Sequence, residues 1–224
     1  MLTRGEIESN EAEFISLLRN IDIPGADIDG LITYLKSTDF FAAPASVRFT
    51  GAYEGGLCQQ SLNIYKILCR LCDTFTAQHV MDENGLVEVQ IPFDKNSLII
   101  VGLFSNLYKA NFYMQYVKNE KVYSETGAKF DSMGKFDWVP KVAYQVREPI
   151  DRDLYGSKGF TNVVRLQKFI PLSEEETTAL MNHFAGTDKQ ENTDDLSFIL
   201  NRFNLTVYLH CANMMAAYCM EKIC

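Results

Sequence analysis

Apolar residues recur at helical spacing along most of the chain. Between Ile7 and Ile21, the positions Phe14, Leu17, Leu18 and Ile21 share one helix face. Gly25 interrupts the pattern, and Asp27 is an N-cap candidate for a short helix through Leu31 and Leu35 towards Phe40. Pro44, Gly51, Gly55 and Gly56 mark a loop. A long helix is expected from about Leu57 to Val80, with Leu62, Ile64, Tyr65, Leu68, Leu71, Cys72 and Phe75 as its apolar positions. Asn84-Gly85 is a turn signal, and Val87, Val89 and Ile91 suggest a brief extended piece. Asp94 opens a further helix, Asn96 to about Lys109. It is apolar nearly all round and should therefore be central.

The pattern changes after Asn111. Tyr113, Tyr116, Val117, Val122 and Tyr123 precede a glycine-containing stretch, and Trp138, Val139, Val142, Tyr144 and Val146 follow it. Aromatic and β-branched residues flanking turns predict a small β-hairpin. Helical spacing returns from Asn162 to Ile170, and Pro171 stops it. Ser173 and Glu176 form a capping box that opens a helix through Leu180 to Phe184. Gly186 and a polar loop, Thr187 to Thr193, lead to a helix that starts at Asp194 or Asp195 and passes Phe198, Ile199 and Phe203. Leu205 to Ile223 reads as the last helix. There is no internal repeat and no low-complexity linker. The expected fold is all-α, a helical bundle with a small β-hairpin insertion around residues 112–147. An N-terminal helical extension over 1–26 would precede a main domain over 27–224.

Composition narrows the function classes. The chain has 224 residues, 47% of them apolar and 22% charged, enough to bury a full core without disulfides or structural metals. Its formal net charge is −8, so coating by nucleic acid is not expected. The charge is uneven, however. Lys109 to Lys168 carries a balance of +4 against −12 for the remainder, which points to a local anion site in an acidic protein. No stretch has the apolar span of a membrane helix, and Met1 to Asn10 lacks the apolar core of a signal peptide. The six cysteines lie mostly in apolar, helix-like stretches, as expected of reduced thiols in a cytoplasmic protein.

Taken residue by residue, no catalytic constellation declares itself. His79, His183 and His210 offer no i, i+4 pair for a helix-borne metal site. Cys69 and Cys72 form one C-x-x-C with no second pair, so core packing is the better reading. Ser105 lacks a nucleophile-elbow context, and phosphate-binding and dinucleotide loops are missing.

Several ordered stretches together carry a resemblance. They are Phe40-Phe41-Ala42-Ala43-Pro44-Ala45-Ser46 with Arg48-Phe49, and Tyr53-Glu54-Gly55-Gly56-Leu57 with Ser61-Leu62-Asn63-Ile64-Tyr65. Lys109-Ala110-Asn111-Phe112-Tyr113, Leu172-Ser173-Glu174-Glu175-Glu176 and His210-Cys211-Ala212-Asn213 follow. In this order, over roughly residues 27–222, they resemble the HD-domain metal-dependent phosphohydrolases, particularly the compact HD proteins of phages and prophages. The resemblance implies an HD-like helical bundle that holds metal ions in a cup, in a bacterial or phage-infected host cytoplasm.

The ligand positions that the resemblance implies are mostly replaced. Thr50 and Gln60 stand where the first two histidines belong, and Ser105-Asn106 replaces the His-Asp doublet. Lys158 takes the place of a histidine between glycines, and Asn213 that of the closing aspartate. His183 alone is kept, while Arg48, Glu54 and Lys109 match the family's usual residue types. A divalent ion out of water needs anionic or imidazole ligands, so a conventional metal centre is not expected and no cofactor is assigned. Ser105 and Lys109, four residues apart, are expected to share a helix face, with Arg48, Lys109 and Lys158 as basic wall residues. The expected function is a catalytically inactive pseudo-hydrolase that binds a nucleotide or other phosphate-bearing molecule, or a protein partner. Two alternatives stand beside it: a phosphohydrolase with an atypical site on His183, Glu54 and the asparagines, and a structural protein with a vestigial pocket. Neither membrane nor nucleic acid is an expected partner.

Overall fold

Thr3 and Glu6 form a reciprocal capping box that starts α1 (Arg4–Leu18). The computed structural model describes residues 1–75, 77–82, 85–90, 93–184 and 193–220, and of 77–82, 86–90 and 193–195 the backbone alone. Phe14, fully buried on α1, packs edge-to-face on Phe40, Phe41 and Phe104 at ring distances of 5.1, 5.6 and 5.6 Å. Asp27 caps α2 (Ile28–Ser37) by accepting from the Gly30 N–H at 2.8 Å. α3 (Gly56–Thr74) begins behind Gly55, whose φ of +78° suits glycine. A Cβ on Gly56 would lie 2.2 Å from the Gly51 carbonyl oxygen, so only glycine lets the 44–55 loop fold onto the helix start. Leu57, Leu62, Ile64 and Leu68 of α3 share the core with Ile99, Ile100 and Leu103 of α4 (Lys95–Phe104).

The long helix expected to reach Val80 stops at Thr74. Beyond it, β1 (Ala77–Asp82) and β2 (Gly85–Gln90) form an antiparallel hairpin, paired from Ala77↔Gln90 to Asp82↔Gly85. Gly85 has a φ of +115° at the turn; Asn84 and Ile91 lie outside the described residues. The second sheet contains β3 (Tyr113–Tyr123), β4 (Lys129–Asp131) and β5 (Gly134–Val146), in the order β3-β5-β4. The expectation of an all-α fold is therefore wrong. The described residues mix helix with strand, and the insertion around 112–147 is a three-stranded antiparallel sheet. Asn111 turns the chain into this sheet at a φ of +57°, held there by Asp39, which accepts from its N–H.

Several helix ends differ from expectation. α4 ends at Phe104, and Leu107–Lys109 forms a 3-10 turn, so Ser105 and Lys109 do not share an α-helix face. α5 (Lys158–Leu166) starts earlier than expected because Ser157 caps it, accepting from Phe160 N–H at 3.3 Å. The capping box of Ser173 and Glu176 opens α6 (Glu174–Asn182), which His183 terminates. α7 (Thr193–Arg202) and α8 (Asn204–Tyr218) complete the described chain. Gly186, Ile223 and residues 187–192 of the expected polar loop lie outside it. The described cysteines are free thiols, and no described helix is long and apolar enough to cross a membrane.

One buried cation organises the region between α4 and the sheet. Arg165 of α5 is 2% exposed. Its Nη1 donates to the Leu107 carbonyl at 2.7 Å and its Nη2 to the Asp153 carbonyl at 2.6 Å. Asn162, one turn earlier on α5, donates to the Ser105 carbonyl and accepts from Tyr108 N–H, both at 2.7 Å. Together these two side chains grip the irregular backbone of 105–110 from both ends.

Candidate functional site

The grip on 105–110 aims Asn106 and Lys109 into a cavity of about 260 Å³ among the ends of α3, α6 and α8. Gln60 of α3, His183 and Phe184 at the end of α6, and His210, Asn213, Met214, Ala217 and Tyr218 of α8 form the rest of its lining. The α8 residues fall at i, i+3, i+4, i+7 and i+8, which is one helix face.

The polar groups are joined in pairs. Lys109 Nζ donates to Gln60 Oε1 at 3.0 Å, and Asn106 Nδ2 to Asn213 Oδ1 at 3.3 Å. His183 Nδ1 lies 3.0 Å from the Leu180 carbonyl, which can only accept, so Nδ1 carries the proton. His183 Nε2 is therefore a bare lone pair, buried and without a hydrogen-bond partner among the described residues. By the same reasoning His210 Nδ1 donates to the His183 carbonyl at 2.8 Å, which leaves its Nε2 unprotonated in the neutral ring.

The electrostatics are unusual for a polar pocket. No carboxylate lines it among the described residues. Burial pushes the Lys109 ammonium down to about 7, with the charge of Lys158 adding to the effect. Burial also takes His183 down to about 3, against the opposing pull of the Leu180 and Ala179 backbone. At neutral pH the site thus holds a neutral imidazole and a lysine balanced between its two forms.

The ten residues singled out by sequence do not all meet here. Gln60, Asn106, Lys109, His183 and Asn213 line the cavity. Thr50 braces it from behind, its Oγ1 donating to the Ala217 carbonyl at 2.5 Å. Ser105 is buried beside it, and its hydroxyl has no hydrogen-bond partner among the described residues. Lys158 is half-buried at its margin, with Nζ 5.5 Å from the Phe184 ring centre. Arg48 and Glu54 are elsewhere. Arg48 lines a groove with Phe49, Tyr116, Lys118 and Lys141 of the sheet, and Glu54 a cavity with Asp39, Tyr113 and Arg147. The basic wall expected of Arg48, Lys109 and Lys158 is thus a single lysine in the lining with a second behind an aromatic ring. His210, given no role from sequence, is part of the lining, and its spacing to Asn213 and Ala217 was the available signal.

A metal ion finds little here. His183 and His210 contribute two imidazoles, the amides are weak ligands, and Lys109 places a cation among them. Among the described residues no group of three or more His, Cys, Asp or Glu comes together that could hold a metal ion. No family model matches the chain, and neither a curated protein nor a solved structure matches it.

Proposed function

We propose that the cup binds an anion, the phosphate group of a small molecule such as a nucleotide, and does not cleave it. One observation carries this reading: Lys109 is buried in a cavity whose lining includes no carboxylate among the described residues, where its ammonium meets the Gln60 oxygen and, at 5.9 Å from the ring centre, the face of Tyr108, neither of them an anion. A buried cation without a counter-charge is costly, and an entering anion removes that cost. The amides of Gln60, Asn106 and Asn213 can turn their N–H groups to phosphate oxygens, which aspartates at 106 and 213 could not do. The ordered resemblance to HD-domain phosphohydrolases supports the same reading, because the replaced ligand positions include Gln60, Asn106 and Asn213. On this reading the protein is a pseudo-hydrolase in which lysine and amides stand in place of the metal's charge. His183 with its bare Nε2 could serve as a general base, but such help supplies only about 10²–10⁴-fold.

A panel of inorganic phosphate, pyrophosphate and nucleoside mono-, di- and triphosphates, screened by thermal shift and followed by calorimetry, tests this. At least one of these compounds is expected to raise the melting temperature. Its affinity should fall tenfold or more in Lys109→Met, through the lost charge-assisted bond, and in Asn213→Asp, through repulsion. Wild-type affinity in both variants, or no binding by any compound, contradicts the proposal. Phosphate release in Mn²⁺ or Mg²⁺ that disappears in His183→Ala would favour the hydrolase alternative.

A further inference from the structure

We infer that the outer edge of β3 pairs with β3 of a second copy of this chain, antiparallel about a two-fold axis at Asn119. Among the described residues no strand pairs with either long edge of the sheet over most of its length. β3 is terminal in the order β3-β5-β4, and β4 covers β5 only over Gly134–Phe136. An uncovered edge presents a row of unpaired N–H and C=O groups, a template for another strand.

The hydrogen-bond phase shows how each edge is treated. Arg147 N–H donates to Phe112 O at 3.0 Å, and Ser124 N–H to Lys135 O at 3.1 Å. Hydrogen-bonded pairs alternate along an antiparallel ladder, so the even residues of β3 bond to the odd residues of β5. Even residues of β5 therefore direct their backbone groups to the far edge. Pro140 is one of them, and it has no N–H to offer, so that edge is blunted at its middle. Odd residues of β3, from Val117 through Asn119 and Lys121 to Tyr123, direct theirs to the other edge. No proline interrupts it, and all four of these residues are exposed.

The side chains then select the partner and the register. Only even-sum registers match outward residue to outward residue when β3 meets its own copy. With Asn119 on the axis, Lys118 of each copy lies opposite Glu120 of the other, in a non-hydrogen-bonded pair where side chains approach most closely. Sliding by one step in either direction places Lys118 on Lys118 or Glu120 on Glu120. Within one copy Lys118 lies directly opposite Lys141, a like-charge pair, while Glu120 bonds Lys141 at 2.9 Å. A second copy thus supplies Lys118 with a carboxylate and builds a run of alternating charge, Lys141–Glu120–Lys118, across the joined sheets. The chemistry that fits this edge is its own sequence reversed.

Sedimentation equilibrium of the full chain over a concentration series tests the inference. Reversible dimers are expected in the micromolar range. Lys118→Glu and Glu120→Lys should each weaken association about tenfold, since each turns two opposite-charge pairs into like-charge pairs. The double exchange Lys118→Glu with Glu120→Lys should restore it to within about threefold. Asn119→Pro, which removes the N–H on the axis, should abolish dimers while leaving the circular dichroism spectrum of the monomer unchanged. A chain that stays monomeric throughout the series overturns the inference. So does association of equal strength in the single-charge variants and in Asn119→Pro.

Discussion

Lys109→Met should make the protein more stable at pH 6, by roughly 2–4 kcal/mol, and should flatten its pH dependence above neutrality. The folded state holds the Lys109 ammonium down to about 7, against 10.5 for an ordinary lysine. Between these values the unfolded chain carries a proton that the folded chain lacks, so stability rises with pH across this window. Below about pH 7 both states are protonated and the full penalty, roughly 4–5 kcal/mol, is present. Methionine has a similar reach and no charge. It loses the bond to Gln60, which offsets the gain by about 1 kcal/mol. Urea denaturation at pH 6, 8 and 10 checks the expectation. The two proteins should differ most at pH 6 and converge by pH 10, and parallel profiles would mean that the ammonium is solvated. A site that holds a destabilising lysine has a reason to keep it, and on the present account that reason is the anion.

Arg165→Met carries the opposite sign. The guanidinium is buried and feeds the carbonyls of Leu107 and Asp153, with a longer contact of 3.4 Å to that of Ala110. It also meets the Asp153 carboxylate at 3.3 Å. Methionine fills much of the volume but removes the guanidinium donors from the Leu107, Ala110 and Asp153 carbonyls, and of these Leu107 keeps the Ala110 N–H at 3.0 Å. Leaving buried acceptors short of donors costs about 1–3 kcal/mol each, so a loss of about 3 kcal/mol is expected. The melting temperature should fall by about 10 °C for a chain of this size. Asn106 and Lys109 lie in the segment that Arg165 grips, so anion affinity should drop in the same variant. A loss below about 1 kcal/mol would show that the 105–110 backbone finds its hydrogen bonds elsewhere.

Local chemistry made much of this fold readable. The caps at Asp27 and at Ser173 with Glu176 work through side-chain bonds three residues away, and both are present. The aromatic and β-branched stretch after Asn111 is a sheet because its side chains alternate between two faces, one of them carrying Tyr123, Phe136 and Trp138 together. The hairpin of β1 and β2 was half visible. Asn84-Gly85 signalled a turn and Val87 and Val89 a strand, but a tight turn needs an equal strand before it. Helical spacing from Leu57 continues past Thr74 in the sequence, and so makes that strand look like more of α3.

The site was readable where regular elements hold it and unreadable where irregular backbone does. Gln60, His183 and Asn213 sit on or at the end of helices whose registers follow from apolar spacing, and they converge. Arg48 and Glu54 sit in the 44–55 loop, whose course depends on the left-handed Gly51 and Gly55 and on Gly56 packing against Gly51. Periodicity says nothing about such a path. Lys109 reaches the cup for a reason that sequence spacing did not show. The helix breaks at Phe104, and Arg165 and Asn162, more than fifty residues away, hold the turn that follows.

Whether Lys109 is a buried cation that an anion neutralises is read out by carbon NMR of protein labelled at lysine Cε. Lys109 is assigned by the resonance missing from Lys109→Met, and pH is varied with and without sulfate, a tetrahedral dianion that does not itself titrate in this range. Lys109 is expected to titrate near 7 without sulfate, and at least about one pH unit higher when sulfate saturates the site. Titration of Lys109 with the bulk of the lysines, or a midpoint that sulfate and the phosphate compounds of the panel leave in place, would contradict it.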